Sequence, residues 1–177
     1  MNKKKLFIVF SFLFVVAVVS ILLLVGMFSN DSMFKSKEDV VKMMEKIKDS
    51  DKLPMLETRE IDIADKEQVE SYTGIKSISL ISDVVVNEPL MGSQAYSVVA
   101  IRVKDVSNVE KIKKEVYNNI NMRKWICVGA EKLVVTNIDN LVFVVMTDED
   151  WFDVSYNLFK DYVDQSVGKE LIKKIEE

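Results

Sequence analysis

Histidine is absent from the 177 residues, which removes the commonest general base near neutral pH and the commonest metal ligand. Cys127 is the only cysteine, so no intramolecular disulfide and no cysteine-rich metal knuckle can form. A lone Cys behaves as a small hydrophobe in a core, and Cys127 is expected to be a structural free thiol. Glycine occurs five times and proline twice. No Gly-rich phosphate loop and no Gly-x-Ser-x-Gly elbow can be found among so few. These gaps exclude most of the familiar catalytic constellations before any element is placed.

What the chain does have is charge and apolar bulk: 29% charged and 49% hydrophobic residues, the composition of a globular protein rather than a disordered one. Its length allows one ordinary domain plus an accessory segment. The formal net charge is -4, but Lys3, Lys4 and Lys5 precede every acidic residue. Setting those three aside takes the remainder to -7. Such a surface repels phosphate backbones, whose binding needs clustered Lys and Arg. No nucleic acid is expected as a partner.

Residues 6–28 form an apolar run interrupted only by Ser11, Ser20 and Gly26. As a helix rising ~1.5 Å per residue it spans ~34 Å, enough for a hydrocarbon core of ~30 Å. The run is too long for a secretory signal core and ends without a small-x-small cleavage site. It therefore predicts a retained transmembrane signal anchor, with the lipid bilayer as its partner. Lys3, Lys4 and Lys5 keep the N-terminus cytoplasmic by the positive-inside rule, which puts the rest of the chain outside the cell membrane.

Beyond the anchor and cytoplasmic stub (1–28), the expectation is a polar joint and stalk helix over 29–52. An extracytoplasmic domain should follow over 53–165, then a charged tail over 166–177, amphipathic or frayed. Ser36 and Asp39 are spaced as a capping box, with Val40, Met44 and Ile47 at helical period behind them. A second helix should start at Asp65 and stop at Gly74. Residues 77–86 and 95–103 are rich in β-branched side chains and flank a turn-forming stretch from Asn87 to Gln94. Ser107 and Glu110 suggest a capping box for a helix over 108–121. Strands over 132–137 and 141–146 meet at Asp139-Asn140, and Asp148 caps a last helix carrying Trp151, Phe152, Leu158, Phe159 and Val163. The order strand-strand-helix thus occurs twice, as in a structural pseudo-repeat. It predicts an α+β fold with a ββαββα core: a two-layer sandwich of an antiparallel sheet with helices on one face.

The segment Ser71-Tyr72-Thr73-Gly74-Ile75, with its Tyr-x-Gly-Ile helix end, leads to a strand carrying Ala95, Ile101, Val103, Lys104 and Asp105. A helix over 109–120 and a strand over 142–146 follow. Over residues 53–150 this pattern resembles domain-of-unknown-function family 4358 of bacterial, chiefly Gram-positive, envelope proteins. The resemblance implies an extracytoplasmic α+β domain and carries over no catalytic residues. Two departures stand out: the lipoprotein cysteine common in that family is missing, and Trp125-Ile126-Cys127-Val128 replaces a Tyr-x-Pro element.

Candidate sites are few. Asp148, Glu149, Asp150 and Asp153 could offer oxygens to a hard cation, but their spacing fits no calcium loop, and acidic residues belong at a helix start. Lys111, Lys113, Lys114, Arg123 and Lys124 form a basic patch read as solvated surface. No catalytic, cofactor-binding or metal residue is assigned, and no cofactor is expected. The candidate interaction surface is Pro89, Leu90, Met91, Trp125 and Trp151, since exposed loops and tryptophans anchor interfaces. The sequence thus predicts a non-catalytic binding domain of the bacterial cell envelope, meeting another envelope protein or a wall component. The alternatives are a carboxylate- or metal-dependent hydrolase of wall material, and a structural subunit of a membrane complex.

Overall fold

A computed structural model describes residues 32–164 and 167–175. The apolar run 6–28 lies outside them. Among the described residues no helix is long and apolar enough to cross a membrane. The elements are α1 (Lys37–Lys48), β1 (Leu56–Ile61), α2 (Lys66–Thr73), β2 (Ile81–Pro89) and β3 (Tyr96–Val103), followed by α3 (Val109–Asn119), β4 (Lys132–Ile138), β5 (Leu141–Thr147), α4 (Glu149–Val163) and β6 (Leu171–Lys174). The six strands form one antiparallel sheet in the order β1-β2-β3-β5-β4-β6.

The α+β class and the antiparallel sheet are as expected, but the two-layer arrangement is corrected: helices cover both faces. Alternate residues of each inner strand enter two separate cores. Val84, Val86, Val99, Ile101, Leu133, Val135, Val142 and Val144 pack with Val69 of α2 and Ile112 and Val116 of α3. Val85, Val98, Ala100, Val134, Phe143 and Val145 pack on the other side with Val40, Met43, Met44 and Ile47 of α1 and Phe152 and Phe159 of α4. Strands buried on both faces read as unbroken apolar runs, and β5, Leu-Val-Phe-Val-Val-Met-Thr, is buried throughout. That run was the available signal for a third layer. The repeated ββα order is also no rotational duplication. A two-fold axis exchanging antiparallel β3 and β5 must run normal to the sheet and would keep both helices on one face, whereas α3 and α4 lie on opposite faces.

The helix expected as a stalk belongs to the globular body. Ser36 and Asp39 do form the capping box, but Val40, Met43, Met44 and Ile47 are then fully buried, and the Asn87 amide donates to the Met44 carbonyl oxygen at 2.8 Å. Residues 32–177 accordingly form one compact unit. The tail is likewise corrected: β6 pairs with β4 from Leu171↔Val135 to Lys174↔Lys132. Gly168 makes this return close. Its N–H donates to the Asn137 carbonyl at 2.7 Å, and a Cβ there would lie 2.2 Å from Asn137 Oδ1.

Gly74 ends α2 as predicted, at φ 72° in the left-handed region where glycine is favoured. A Cβ at Gly74 would sit 2.6 Å from the Ile120 nitrogen, so glycine also lets α2 pack against the end of α3. Two expected caps are not formed by side chains. The Ser107 N–H instead donates to the Asp105 carboxylate in a 3-10 turn before α3, and Asp148 precedes α4 without a side-chain cap hydrogen bond.

Candidate functional site

The five residues singled out from sequence gather at one end of the sheet. Pro89 is the buried last residue of β2, and without an N–H it cannot continue donating to β3; the β2–β3 ladder closes at Asn87↔Val98. The chain then leaves the sheet with Leu90 and Met91 each 57% exposed, and Met55, 71% exposed, stands beside them because the Leu90 N–H donates to its carbonyl. Trp151 of α4 packs edge-on to Tyr96, the first residue of β3, at 6.2 Å between centroids. Trp125 belongs to the same end through its neighbour Lys124, described next. Both tryptophans are half-buried. Met55, Leu90 and Met91 are exposed apolar side chains at this end, as is Ile126 next to Trp125, whereas Trp125 and Trp151 pack against the two different cores.

Under the tip lies a polar cluster that sequence reading missed. Glu88 and Ser97, next along β2 and β3 after the ladder closes, are buried, and the Ser97 hydroxyl donates to the Glu88 carboxylate. Lys124 Nζ donates to Glu88 Oε1 at 2.7 Å and to Ser97 Oγ at 3.1 Å, with the Tyr72 ring 4.7 Å and the Trp125 ring 5.2 Å from the ammonium. Burial pulls the Lys124 pKa down, and the Glu88 carboxylate opposes that shift. A lysine beside a serine is a pairing used for acyl transfer. Here Ser97 is wholly buried and its proton points to Glu88, so no carbonyl can reach the hydroxyl oxygen. The cluster pins the root of the hairpin.

Two residues of the supposedly solvated basic patch are thus corrected. Lys124 is largely buried, and Lys113 is fully so, with Nζ 2.7 Å from Glu110 Oε1 and 2.8 Å from Asn137 Oδ1. Lys111, Lys114 and Arg123 are exposed. The signal for Lys113 was its position next to Ile112 on the buried face of α3. For Lys124, adjacency to Trp125 was the only hint.

The acidic stretch at α4 is electrostatically crowded. Burial, then the charges of Glu131 and Asp150, raise the Asp148 pKa above its ordinary value, and the Glu149 N–H donates to Glu131 Oε2 at 3.2 Å. Among the described residues no group of three or more Cys, Asp or Glu is arranged to hold a metal ion.

Besides a cavity of about 480 Å³ bordered by Met55 and Leu90 themselves, two more open near this end. One, about 500 Å³, is walled by the 121–131 loop and the end of β6, including Arg123, Trp125, Val128, Glu131 and Ile175. The Cys127 thiol also lines it and is exposed, which corrects the buried structural thiol expected from sequence; its backbone has φ 63°. The other, about 600 Å³, lies between α2 and the end of α3 and is bordered by Glu67, Glu70, Asn121 and Lys124. No protein-family model, no curated protein and no solved structure matches this chain.

Proposed function

We propose that this is a membrane-anchored, extracytoplasmic binding domain of the bacterial cell envelope, held by residues 6–28 as a single-pass anchor. On this reading it meets another envelope protein or a wall component through Met55, Leu90 and Met91. The observation that carries the reading is the group of exposed apolar side chains where the β2–β3 connection meets the start of β1, Leu90 and Met91 beside Met55, since contiguous exposed apolar groups mark interaction sites.

The tip lies far from where the described chain begins. The Ser32 hydroxyl donates to Asn140 in the β4–β5 turn at 2.6 Å, and the Lys35 carbonyl accepts from Arg102 near the end of β3. That is the opposite end of β3 from Tyr96, roughly 20 Å away at ~3.3 Å per residue. The resemblance to domain-of-unknown-function family 4358 agrees with the same address. The lack of histidine, the commonest general base and metal ligand, weighs against the alternative of a carboxylate- or metal-dependent hydrolase.

The test is site-specific photocrosslinking in intact cells from position 90 or 91, with position 106 as control because Val106 is equally apolar, 53% exposed, and at the entry end. A discrete crosslinked species from the tip alone, lost from position 90 when Met55→Asp and Met91→Asp are introduced beside it without a change in thermal stability, is the expected result. Equal crosslinking from both ends, or none from the tip, would refute the docking role. Protease protection of the domain in intact spheroplasts would refute the address.

A further inference from the structure

The cavity beside the 121–131 loop contains two opposite charges that do not meet. Arg59 and Arg102, the chain's other arginines, pair with Glu57 and Asp83. The Arg123 guanidinium makes no hydrogen bond or ion pair with any described residue; only its backbone N–H is bonded, to Asn121 Oδ1 at 2.9 Å. Glu131 lines the same cavity; its carboxylate is bonded only at Oε2, to the Glu149 N–H, and forms no ion pair with a described residue. Both residues are exposed and line one space without pairing with each other.

The backbone holds them apart. The Ala130 N–H donates to the Met122 carbonyl at 2.8 Å and closes the loop at its base, while the Ile175 N–H donates to the Glu131 carbonyl at 2.9 Å and ties that wall to the strand region. Gly129 lets the arginine stem lie across the loop, because a Cβ there would be 2.9 Å from Arg123 Cγ. Trp125, Val128 and Ile175 line the same cavity. The volume, about 500 Å³, falls within the range of small-molecule sites.

We propose that this cavity binds a zwitterion with an apolar body: a free amino acid or a short peptide carrying both termini. The guanidinium receives the carboxylate as a two-pronged donor, Glu131 receives the ammonium, and Trp125 and Ile175 receive the side chain. The assignment rests neither on the membrane address nor on docking by the tip.

Isothermal titration of the full chain in a non-ionic detergent tests it with four probes. L-leucine and L-alanyl-L-leucine are the zwitterions; 4-methylpentanoate lacks the amine and isoamylamine lacks the carboxylate. Saturable binding of one zwitterion is expected, with each half-ligand at least about tenfold weaker, about 1.4 kcal/mol. Which zwitterion binds tighter tells a free amino acid from a peptide. Arg123→Met, which keeps the stem over Gly129, and Glu131→Gln, which still accepts from Glu149, are each expected to weaken the zwitterion at least about tenfold with thermal unfolding unchanged. The proposal is overturned if neither zwitterion saturates by ~10 mM (a binding free energy near -2.7 kcal/mol), if a half-ligand binds as tightly, or if either variant leaves the affinity unaltered.

Discussion

Lys124 illustrates how one residue's meaning depends on what surrounds it. In the sequence it is the fifth member of a basic patch; in the fold it is the cation that neutralises Glu88 beneath the hairpin. Removing one partner of a buried pair leaves the other charge uncompensated, at a cost of about 3–5 kcal/mol. Lys124→Met is expected to lower stability by that order in urea unfolding, and Lys124→Met/Glu88→Gln to recover most of it. A double variant as unstable as the single would show that packing, not the charge, matters there. Asp148 gives a prediction of opposite sign. Its folded pKa lies above the unfolded value because burial and the Glu131 and Asp150 charges disfavour the anion. The ionised group is therefore a penalty to the folded state at neutral pH, relieved as pH falls through the folded pKa and absent below the ordinary value near 3.8. Asp148→Asn, whose side chain suits the same N-cap position, should raise the melting temperature at pH 7 and give no gain at pH 3. A gain that persists at pH 3 would argue against this electrostatic cause.

Among elements, β6 departs most from its sequence appearance. Leu-Ile-Lys-Lys mixes apolar and charged residues over four positions, too short a stretch to fix a period. What makes it a strand is the edge of β4 and the close return of Gly168 onto Asn137, both partners more than 30 residues back in the chain. The Tyr117 hydroxyl of α3 donates to the Ile172 carbonyl at 3.0 Å, which caps part of the outer edge of β6 and limits its capacity to template another strand. Deleting residues 169–177 should therefore expose β4 as an open edge, lower the urea midpoint and promote concentration-dependent aggregation, read by light scattering. Unchanged stability would restore the frayed-tail reading. The helices were far more legible: the α1 capping box, the Gly74 stop and the apolar stripe of α3 are local chemistry and were placed within a residue or two.

At the scale of the molecule the correction is the third layer. A stalk helix could be removed without harm, but α1 covers Val85, Val98 and Ala100 on one sheet face together with α4. A chain whose outer part begins at residue 52 should fail to give a cooperative thermal transition by circular dichroism. A cooperative transition near that of the full chain would return α1 to the role of spacer. The stacked Phe143 and Phe159 rings, 3.7 Å apart, sit in the same core and would be partly uncovered by the truncation.

The sequence by itself determined the α+β class, the approximate positions of four helices and four strands, and the absence of histidine chemistry; of the turn expected over 87–94, Asn87, Glu88 and Pro89 belong to β2 instead. What it determined is set by period, capping and composition within about a dozen neighbouring residues. Only the tertiary structure decided that helices flank both sheet faces, that β6 is a strand, that Lys113 and Lys124 are buried, and that Arg123 and Glu131 face one cavity unpaired. Each of these turns on contacts between segments far apart in the chain, where burial rather than local propensity sets the outcome, and no local pattern encodes which charge will find which partner.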